Sequence, residues 1–567
     1  MRGRIKLLGF AFLISSAALI VRLFFWQIIK SQELANWARL QQTSGRQLQA
    51  PRGNILASDG GFLAATTQGW LVYASKSDVV SDAKTLANKL APFFVDDPSL
   101  LLAEVARVQD LLSENGSVWI PLKHRVEDET KSTIEAMNLA GIGFEPEDLR
   151  SYPEASIAAQ VLGFVGKDDE GLDKGYFGVE GYYDLELSGK EGFLQRESDA
   201  RGIPILSGTS REISAVGGVD LLTHLDKTIQ LIAEKKLTDG IEKYGAKSGW
   251  VVVMNPKTGA IVAMAAWPSY DPAEYWTFGN DYFKNPVISD SFEPGSIFKP
   301  LVMASALDAG AVEPDTKCDI CGGPAKIDKY SIETWNKEYR PDSTMTDVIV
   351  HSDNVGMVFV GNRLGADRLY DYLSKFGIGQ MTGIDLQGEA NPGIREKGTW
   401  NIVDLATASF GQGIAVTPIQ MIRAIGVIAN DGVIMEPQVV DKIALDGWQS
   451  DIKPLAGERV ISKKAADEIT AMMVLAASEG EAKWTAIGGF GVAGKTGTAQ
   501  IPVKGHYDED KTIGSFVGFA PANDPKFVML VSLTEPQSSP WASETAAPLW
   551  FSIANELFVY LGIQPKS

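Results

Sequence analysis

Ser296 and Lys299 stand three residues apart in the stretch FEPGSIFKP, behind the break Pro294-Gly295. A serine hydroxyl is a poor nucleophile until a neighbouring base takes its proton, and a neutral lysine can be that base. An S-x-x-K pair alone is weak, because a chain of this size holds one or two by chance. Taken singly, Ser296 reads as a helix cap and Lys299 as a solvated side chain. Two further stretches change the weighing. Ser352-Asp353-Asn354 lies 56 residues beyond Ser296, and Lys495-Thr496-Gly497 lies 143 residues beyond Ser352. A second lysine near Lys299 would depress its pKa further and would suit a substrate carboxylate. Ser352 could relay protons and Asn354 could hold a substrate amide. Gly497 would let a ligand backbone approach closely. Ser-Asp-Asn alone reads as a turn or cap. Lys-Thr-Gly alone is a common turn, and Asn255-Pro-Lys-Thr-Gly259 is a second instance in this chain with no further role. The chemistry is read from the three together and in order.

These groups need elements that bring them together. The apolar run Ser296 to Leu307 predicts a helix with Ser296 at its N-terminus and Lys299 on the same face one turn on. The helix end would offer free N–H groups and partial positive charge to an oxyanion. Lys495 to Gln500 reads as an edge strand, to which an extended peptide could add. Trp250–Met254 and Ala260–Met264 predict a hairpin around Asn255–Gly259, and Gly514–Phe519 with Lys526–Leu533 a second. Thr228 to Tyr244 predicts a helix, and residues 296 to 480 read as mostly helical. Ser81–Leu90 and Glu127–Leu139 are helical in texture, whereas 150 to 215 has strand and loop character.

The chain has 567 residues, so it holds two or three domains. Its formal charge of −19 argues against a nucleic-acid partner and suits a soluble extracytoplasmic body. Residues 7–29 are apolar over 23 positions, interrupted mainly by Arg22 and Gln27, and are long enough to cross a bilayer. Arg2, Arg4 and Lys6 place residues 1–6 in the cytoplasm. Lys30-Ser-Gln-Glu-Leu-Ala-Asn-Trp offers no good cleavage site, so the segment reads as an anchor rather than a signal peptide. Residues 30 to about 65 read as an extended linker entering a domain. The expected division is a cytoplasmic tail (1–6), a transmembrane anchor (7–29), an elongated α+β module (30–215) and a C-terminal α/β domain (216–567). Cys318 and Cys321, spaced C-x-x-C, could form a disulfide or remain buried thiols; a zinc site would need two further ligands. No cofactor or metal is expected.

S-x-x-K, S-D-N and K-T-G, in this order, are the motif set shared by penicillin-binding proteins and class A β-lactamases. Nearly the whole chain after the anchor resembles a class B penicillin-binding protein, a membrane-anchored peptidoglycan D,D-transpeptidase. Pro51-Arg-Gly-Asn-Ile55, Asp59-Gly60 and Leu63-Ala64 resemble the opening signature of that family's non-catalytic pedestal. Ala159–Phe164, Gly178-Val-Glu180 and Leu187-Ser-Gly189 resemble later pedestal signatures, and Gly377–Asp385 and Gly411–Pro418 resemble transpeptidase-domain patterns.

The resemblance implies an α/β (α+β) serine transpeptidase domain of β-lactamase-like fold behind an α+β pedestal and a single N-terminal transmembrane helix. It implies Ser296 as nucleophile toward D-alanyl-D-alanine, Lys299 as acylation base, and Ser352 and Asn354 as the second motif. Lys495, Thr496, Gly497 and Thr498 would bind the substrate carboxylate and backbone, with the N–H groups of Ser296 and Thr498 as oxyanion hole. Carboxypeptidase side activity and acylation by β-lactams are implied too. Implied partners are peptidoglycan stem peptides and a polytopic lipid II polymerase of the division or elongation machinery, sought at Arg22 and near Arg52. Gly514–Pro521 and a compact C-terminus are closer to the division branch than to the elongation branch. A β-lactamase would share the motifs but has no use for an anchor and pedestal. A penicillin sensor would need a larger cytoplasmic part, whereas a scaffold with a dead site remains a rival.

Overall fold

The computed structural model describes residues 2–34, 37, 43–48, 50–95, 97–113, 118–154, 156–197, 210–445, 447–485, 488–503 and 506–565. Residues 35, 36 and 38–42 of the expected linker and residues 198–209 of the expected pedestal lie outside the described residues. The first element is an apolar helix, α1 (Arg2–Phe24), continued by a π turn to Ile29. Among the described residues, none of its side chains is buried. The helix Arg2–Ile29 counts 28 residues, about 42 Å at 1.5 Å per residue, enough for a hydrocarbon core. The Arg22 guanidinium lies 5.3 Å from the Trp26 ring centre, an attraction that eases a cation beside lipid.

The chain divides into two compact units, residues 1–52 with 188–218, and residues 53–187 with 219–567. Besides α1, the first unit carries a three-stranded antiparallel sheet of Thr43–Leu48, Gly192–Glu197 and Ser210–Ile213.

In the second unit, β1 (Phe62–Ser75) pairs antiparallel with β2 (Trp119–Val126) and β3 (Ile142–Ser151). This sheet continues through Ile55–Leu56 and Asp220–Thr223 to Val440–Leu445 and Trp448–Asp451. Val72 and Ala74 of β1 bury against Leu86, Leu90, Val108 and Leu112 of the helices Ala83–Leu90 and Leu101–Ser113. Arg150 on β3 donates to the Glu180 carboxylate at 2.7 Å and to the Gly53 carbonyl at 2.7 Å. Glu180 is 0% exposed, so this is a buried charge held by pairing and hydrogen bonds.

Residues 219–567 are organised on a five-stranded antiparallel sheet. Helix α2 (Lys227–Tyr244) precedes β4 (Ser248–Met254) and β5 (Ile261–Trp267), then helices α3 (Lys299–Asp308), α4 (Met345–Val350), α5 (Asn354–Leu364), α6 (Pro418–Ala429) and α7 (Lys463–Glu479). The chain closes with β6 (Ala493–Val503), β7 (His506–Ala520), β8 (Phe527–Thr534) and α8 (Ala546–Tyr560). The strand order is β5-β4-β8-β7-β6, which puts β6 at an edge. Both expected hairpins form, β4 with β5 and β7 with β8. Strands β4 and β8 are mostly apolar because both faces are covered, and side chains alternate between them. Val251 and Val253 of β4 face α2 and α8, packing with Leu237 and Trp550. Trp250, Val252 and Met254 enter the opposite core, with Leu301 of α3 and Ile425 of α6.

Caps fix where the helices begin. Asp226 accepts from the N–H groups of Thr228 and Ile229 at the start of α2. Thr417 with Gln420, and Thr344 with Asp347, form capping boxes on α6 and α4. Among the readings open for the two cysteines, the structure takes the disulfide. Cys318 and Cys321 are bonded, both buried, with Cα atoms 5.6 Å apart.

Candidate active site

Ser296 lies in a short 3-10 turn, Gly295–Phe298, immediately ahead of α3, rather than within the α-helix itself. Three residues per turn stack positions i and i+3 on one face. Ser296 and Lys299 therefore share a face, tied by the Lys299 N–H donating to the Ser296 carbonyl. Pro300 follows at the second helical position, where a missing N–H costs nothing.

Lys299 is 0% exposed. Its Nζ donates to the Ser352 carbonyl at 2.7 Å, to Ser352 Oγ at 3.2 Å and to Asn354 Oδ1 at 2.7 Å. Burial, and then the nearby Lys495 ammonium, push its pKa down to about 7, only partly offset by Glu481 and Asp353. Burial also lowers the pKa of Lys495, with Glu481 opposing. The sequence argument counted the second cation as a contributor; desolvation is the larger cause.

The Ser-Asp-Asn stretch forms the turn between α4 and α5. Ser352 is 3% exposed and left-handed, with φ +56°, a conformation disfavoured for any residue with a Cβ. Asp353 is the N-cap of α5, accepting from Val355 N at 2.8 Å and Gly356 N at 3.2 Å. Asn354 is occupied by Lys299 and by the Glu333 carbonyl, to which its Nδ2 donates at 3.1 Å. The expected substrate amide would have to share these contacts.

Strand β6 carries the third stretch along the edge of the sheet. Lys495 pairs with Val517 and Gly497 with Ser515 on β7. Lys495 is 2% exposed, and its Nζ donates to the Thr496 carbonyl at 3.1 Å and Oγ1 at 3.2 Å. Thr496 Oγ1 in turn donates to Glu481 Oε2 at 2.7 Å. Thr498 Oγ1 accepts from the Ala542 N–H at 3.0 Å. The expected reason for Gly497 was room for a ligand, and the structure adds a nearer one. A Cβ there would lie 2.8 Å from Ile297 N and 3.1 Å from the Pro294 oxygen. Glycine is what lets β6 lie against the turn bearing Ser296.

Ser296, Ser352, Asn354, Thr496, Gly497 and Thr498 line one cavity of about 220 Å³. Lys299 and Lys495 are buried outside its lining. The motif reading did not anticipate the rest of that lining: Trp335, Phe410, Gln412, Glu481, Trp541, Ser543 and Glu544. The rings of Trp335 and Trp541 meet edge to face with centres 5.3 Å apart. Gln412 lies in the quoted Gly-Gln-Gly pattern, whereas Glu481 and the two tryptophans belong to no motif.

A buried lysine of depressed pKa, a serine one 3-10 turn away and hydroxyls from two other elements around one cavity can perform acyl transfer. Residues 249–558 match the penicillin-binding protein transpeptidase domain, and residues 47–223 match the penicillin-binding protein dimerisation domain. The chain therefore belongs to the penicillin-binding proteins, in the class B form that sets a dimerisation domain ahead of a peptidoglycan D,D-transpeptidase domain. It is 31% identical over 552 residues to stage V sporulation protein D of Bacillus subtilis, covering 96% of this chain and 84% of the relative. It is 31% identical over 602 residues to the peptidoglycan D,D-transpeptidase FtsI homolog of Mesostigma viride, covering 100% and 97%. Penicillin-binding protein 3 of Mycobacterium tuberculosis, solved with aztreonam, superposes with a TM-score of 0.70 at 26% identity over 92% of this chain and 98% of that one.

Proposed function

We propose that Ser296 is the nucleophile of a two-step transpeptidation. The observation that carries this reading is Lys299, fully buried with a pKa near 7, one 3-10 turn from Ser296 in the wall of the shared cavity. Neutral Lys299 takes the Ser296 proton as Oγ attacks the penultimate D-alanyl carbonyl of a stem peptide. The oxyanion falls to the N–H groups of Ser296 and Thr498. The tetrahedral adduct collapses, and the terminal D-alanine leaves as an amine that regains a proton through Ser352. An acceptor amine then attacks the acyl-enzyme, returns its own proton to the site and frees Ser296. The Thr498 hydroxyl and the Thr496 segment of β6 meet the substrate carboxylate and backbone from the cavity wall, with the Lys495 charge behind them and Asn354 along the peptide. β-Lactams acylate Ser296 by the same route, in keeping with a structural relative solved with aztreonam.

The domain division at 1–6, 7–29, 30–215 and 216–567 belongs to this reading, supported by the matches over 47–223 and 249–558. So does a single-pass anchor in the cytoplasmic membrane, N-terminus inside, supported by Arg2, Arg4 and Lys6 ahead of an exposed apolar helix. We assign the chain to septal wall synthesis, with a polytopic lipid II polymerase as partner at α1 and the pedestal; Gly514–Pro521 and the FtsI homolog relative support this. A fluorescent fusion at midcell fits that duty, and one spread along the lateral wall refutes it. Loss of polymerase co-purification in Arg22→Gln checks the partner.

Time-resolved labelling with a fluorescent penicillin tests the chemistry. A stable adduct in wild type that is absent in Ser296→Ala is expected. An adduct that decays within seconds would make the protein a hydrolase, and growth supported by Ser296→Ala would make it a scaffold.

A further inference from the structure

Glu481 is a carboxylate in the cavity wall with no part in the three motifs. Helix α7 ends at Glu479, and Gly480 turns the chain against α4. A Cβ at 480 would lie 2.8 Å from the Val350 oxygen, two residues before Ser352. The packing of α7 on α4 thus delivers residue 481 to the cavity, where Glu481 Oε2 accepts from Thr496 Oγ1 at 2.7 Å. Thr496 Oγ1 accepts from Lys495 Nζ at 3.2 Å. The chain of contacts runs from carboxylate to hydroxyl to ammonium across two elements.

We infer that Glu481 is a positioning residue for the transpeptidation: through the Thr496 hydroxyl it holds in place the Lys495 ammonium that receives the substrate carboxylate. The inference rests on the reading of Ser296 as nucleophile and Lys495 as carboxylate partner. Thr496 has one hydroxyl proton and donates it to Glu481, which leaves its oxygen to accept from Lys495 Nζ. The hydroxyl no longer rotates freely, and the ammonium is held against it. The anion also acts on both lysines, favouring their protonated forms. The charged groups facing it are Lys495 on β6, Lys299 on α3, and Asp353 and His351 at the α4–α5 turn, with Arg340 beyond His351. Glu544 lines the same cavity, and Lys483 on the 481 segment is exposed. Acylation needs neutral Lys299 and cationic Lys495, so its pH profile is a bell with Lys299 on the acid limb and Lys495 on the alkaline limb. Removing the anion lowers both pKa values and moves both limbs to lower pH.

The test is the second-order rate of acylation by a fluorescent penicillin from pH 5 to 10, for wild type, Glu481→Gln and Glu481→Asp, with thermal unfolding as the check on folding. Glu481→Gln is expected to shift both limbs down by roughly one pH unit. Glu481→Asp keeps the charge but shortens the reach, so its limbs stay with wild type while its rate falls. Limbs of Glu481→Gln that coincide with wild type overturn the inference. So does a shift in Glu481→Asp as large as in Glu481→Gln. Should Glu481→Gln fail to fold, Glu481→Ala is read by the same criteria. A wild type that takes no label sinks the nucleophile reading itself, and is thereby distinguished from failure of this inference.

Discussion

Lys299 makes the sharpest prediction. A lysine at its ordinary pKa of 10.5 is neutral in only about one molecule in 3,000 at pH 7. At about 7 roughly half the molecules hold the free base, a gain on the order of a thousandfold in active species, reduced somewhat by the weaker basicity. Lys299→Arg keeps the cation but cannot release it at any working pH. Its acylation by a fluorescent penicillin is expected to fall by about three orders of magnitude, while the wild-type rate reaches half its maximum near pH 7. The same displacement is a stability statement. From 10.5 to about 7 corresponds to about 5 kcal/mol. Between these pH values the unfolded chain holds a proton that the folded chain has released, so stability rises with pH through the window. Below 7 both states carry the proton and the folded state bears the whole cost. Lys299→Met removes the charge at similar volume, although it leaves the Ser352 and Asn354 acceptors unpaired at roughly 1–3 kcal/mol each. The slope is therefore the test. The stability of Lys299→Met relative to wild type should decline as pH rises from 7 to 10 in chemical denaturation. A pH-independent difference, or a Lys299→Arg variant retaining a tenth of wild-type acylation, refutes the argument.

Gly497→Ala inserts a methyl against Ile297 N and Cγ2, both at 2.8 Å from the new carbon. It is expected to displace the Ser296 turn and cut acylation about a hundredfold, with about 1–3 kcal/mol lost in thermal unfolding. Asp353→Ala removes the cap from Val355 and Gly356 and should cost about 1 kcal/mol in denaturant titration. Acylation falls with it, because the cap helps hold Ser352 left-handed. Arg150→Ala removes a buried charged donor from the Glu180 carboxylate and should cost about 1–3 kcal/mol. Labelling per folded molecule stays at the wild-type level, because neither partner lines the cavity.

The three motifs were legible because acyl transfer restricts residue types as well as spacing. The strands β4 and β8 were legible because a sheet covered on both faces leaves an unbroken apolar run. Other features depend on contacts remote in sequence. Glu481, Trp335 and Trp541 come from three segments without local signature and meet only at the cavity. The sheet joining Ile55–Leu56 to Asp220–Thr223 and Val440–Leu445 spans most of the chain, and no periodicity reports such pairing. The pattern around Ser296 predicts a helix start, and the structure adds the 3-10 turn. The pattern cannot distinguish the two, because both place i and i+3 together over one turn.

Three departures from local rules stand beside one another at the candidate site. Lys299 and Lys495 are both buried and near enough to oppose each other's charge, and Ser352 is a non-glycine residue at φ +56°. Each departure costs on the order of 1–5 kcal/mol, and a domain selected for stability alone would discard them. Their closeness to one another behind the wall of one cavity is physical evidence for function independent of the motif match. The departures are also coupled. The left-handed turn at Ser352 directs its carbonyl and hydroxyl to Lys299 Nζ. With Asn354 Oδ1, these oxygens supply acceptors for all the protons of the cationic lysine. When Lys299 is neutral it has one proton fewer to donate, and its lone pair is free for a hydroxyl proton. The turn therefore holds the lysine in place in both protonation states, as the proposed role of base requires.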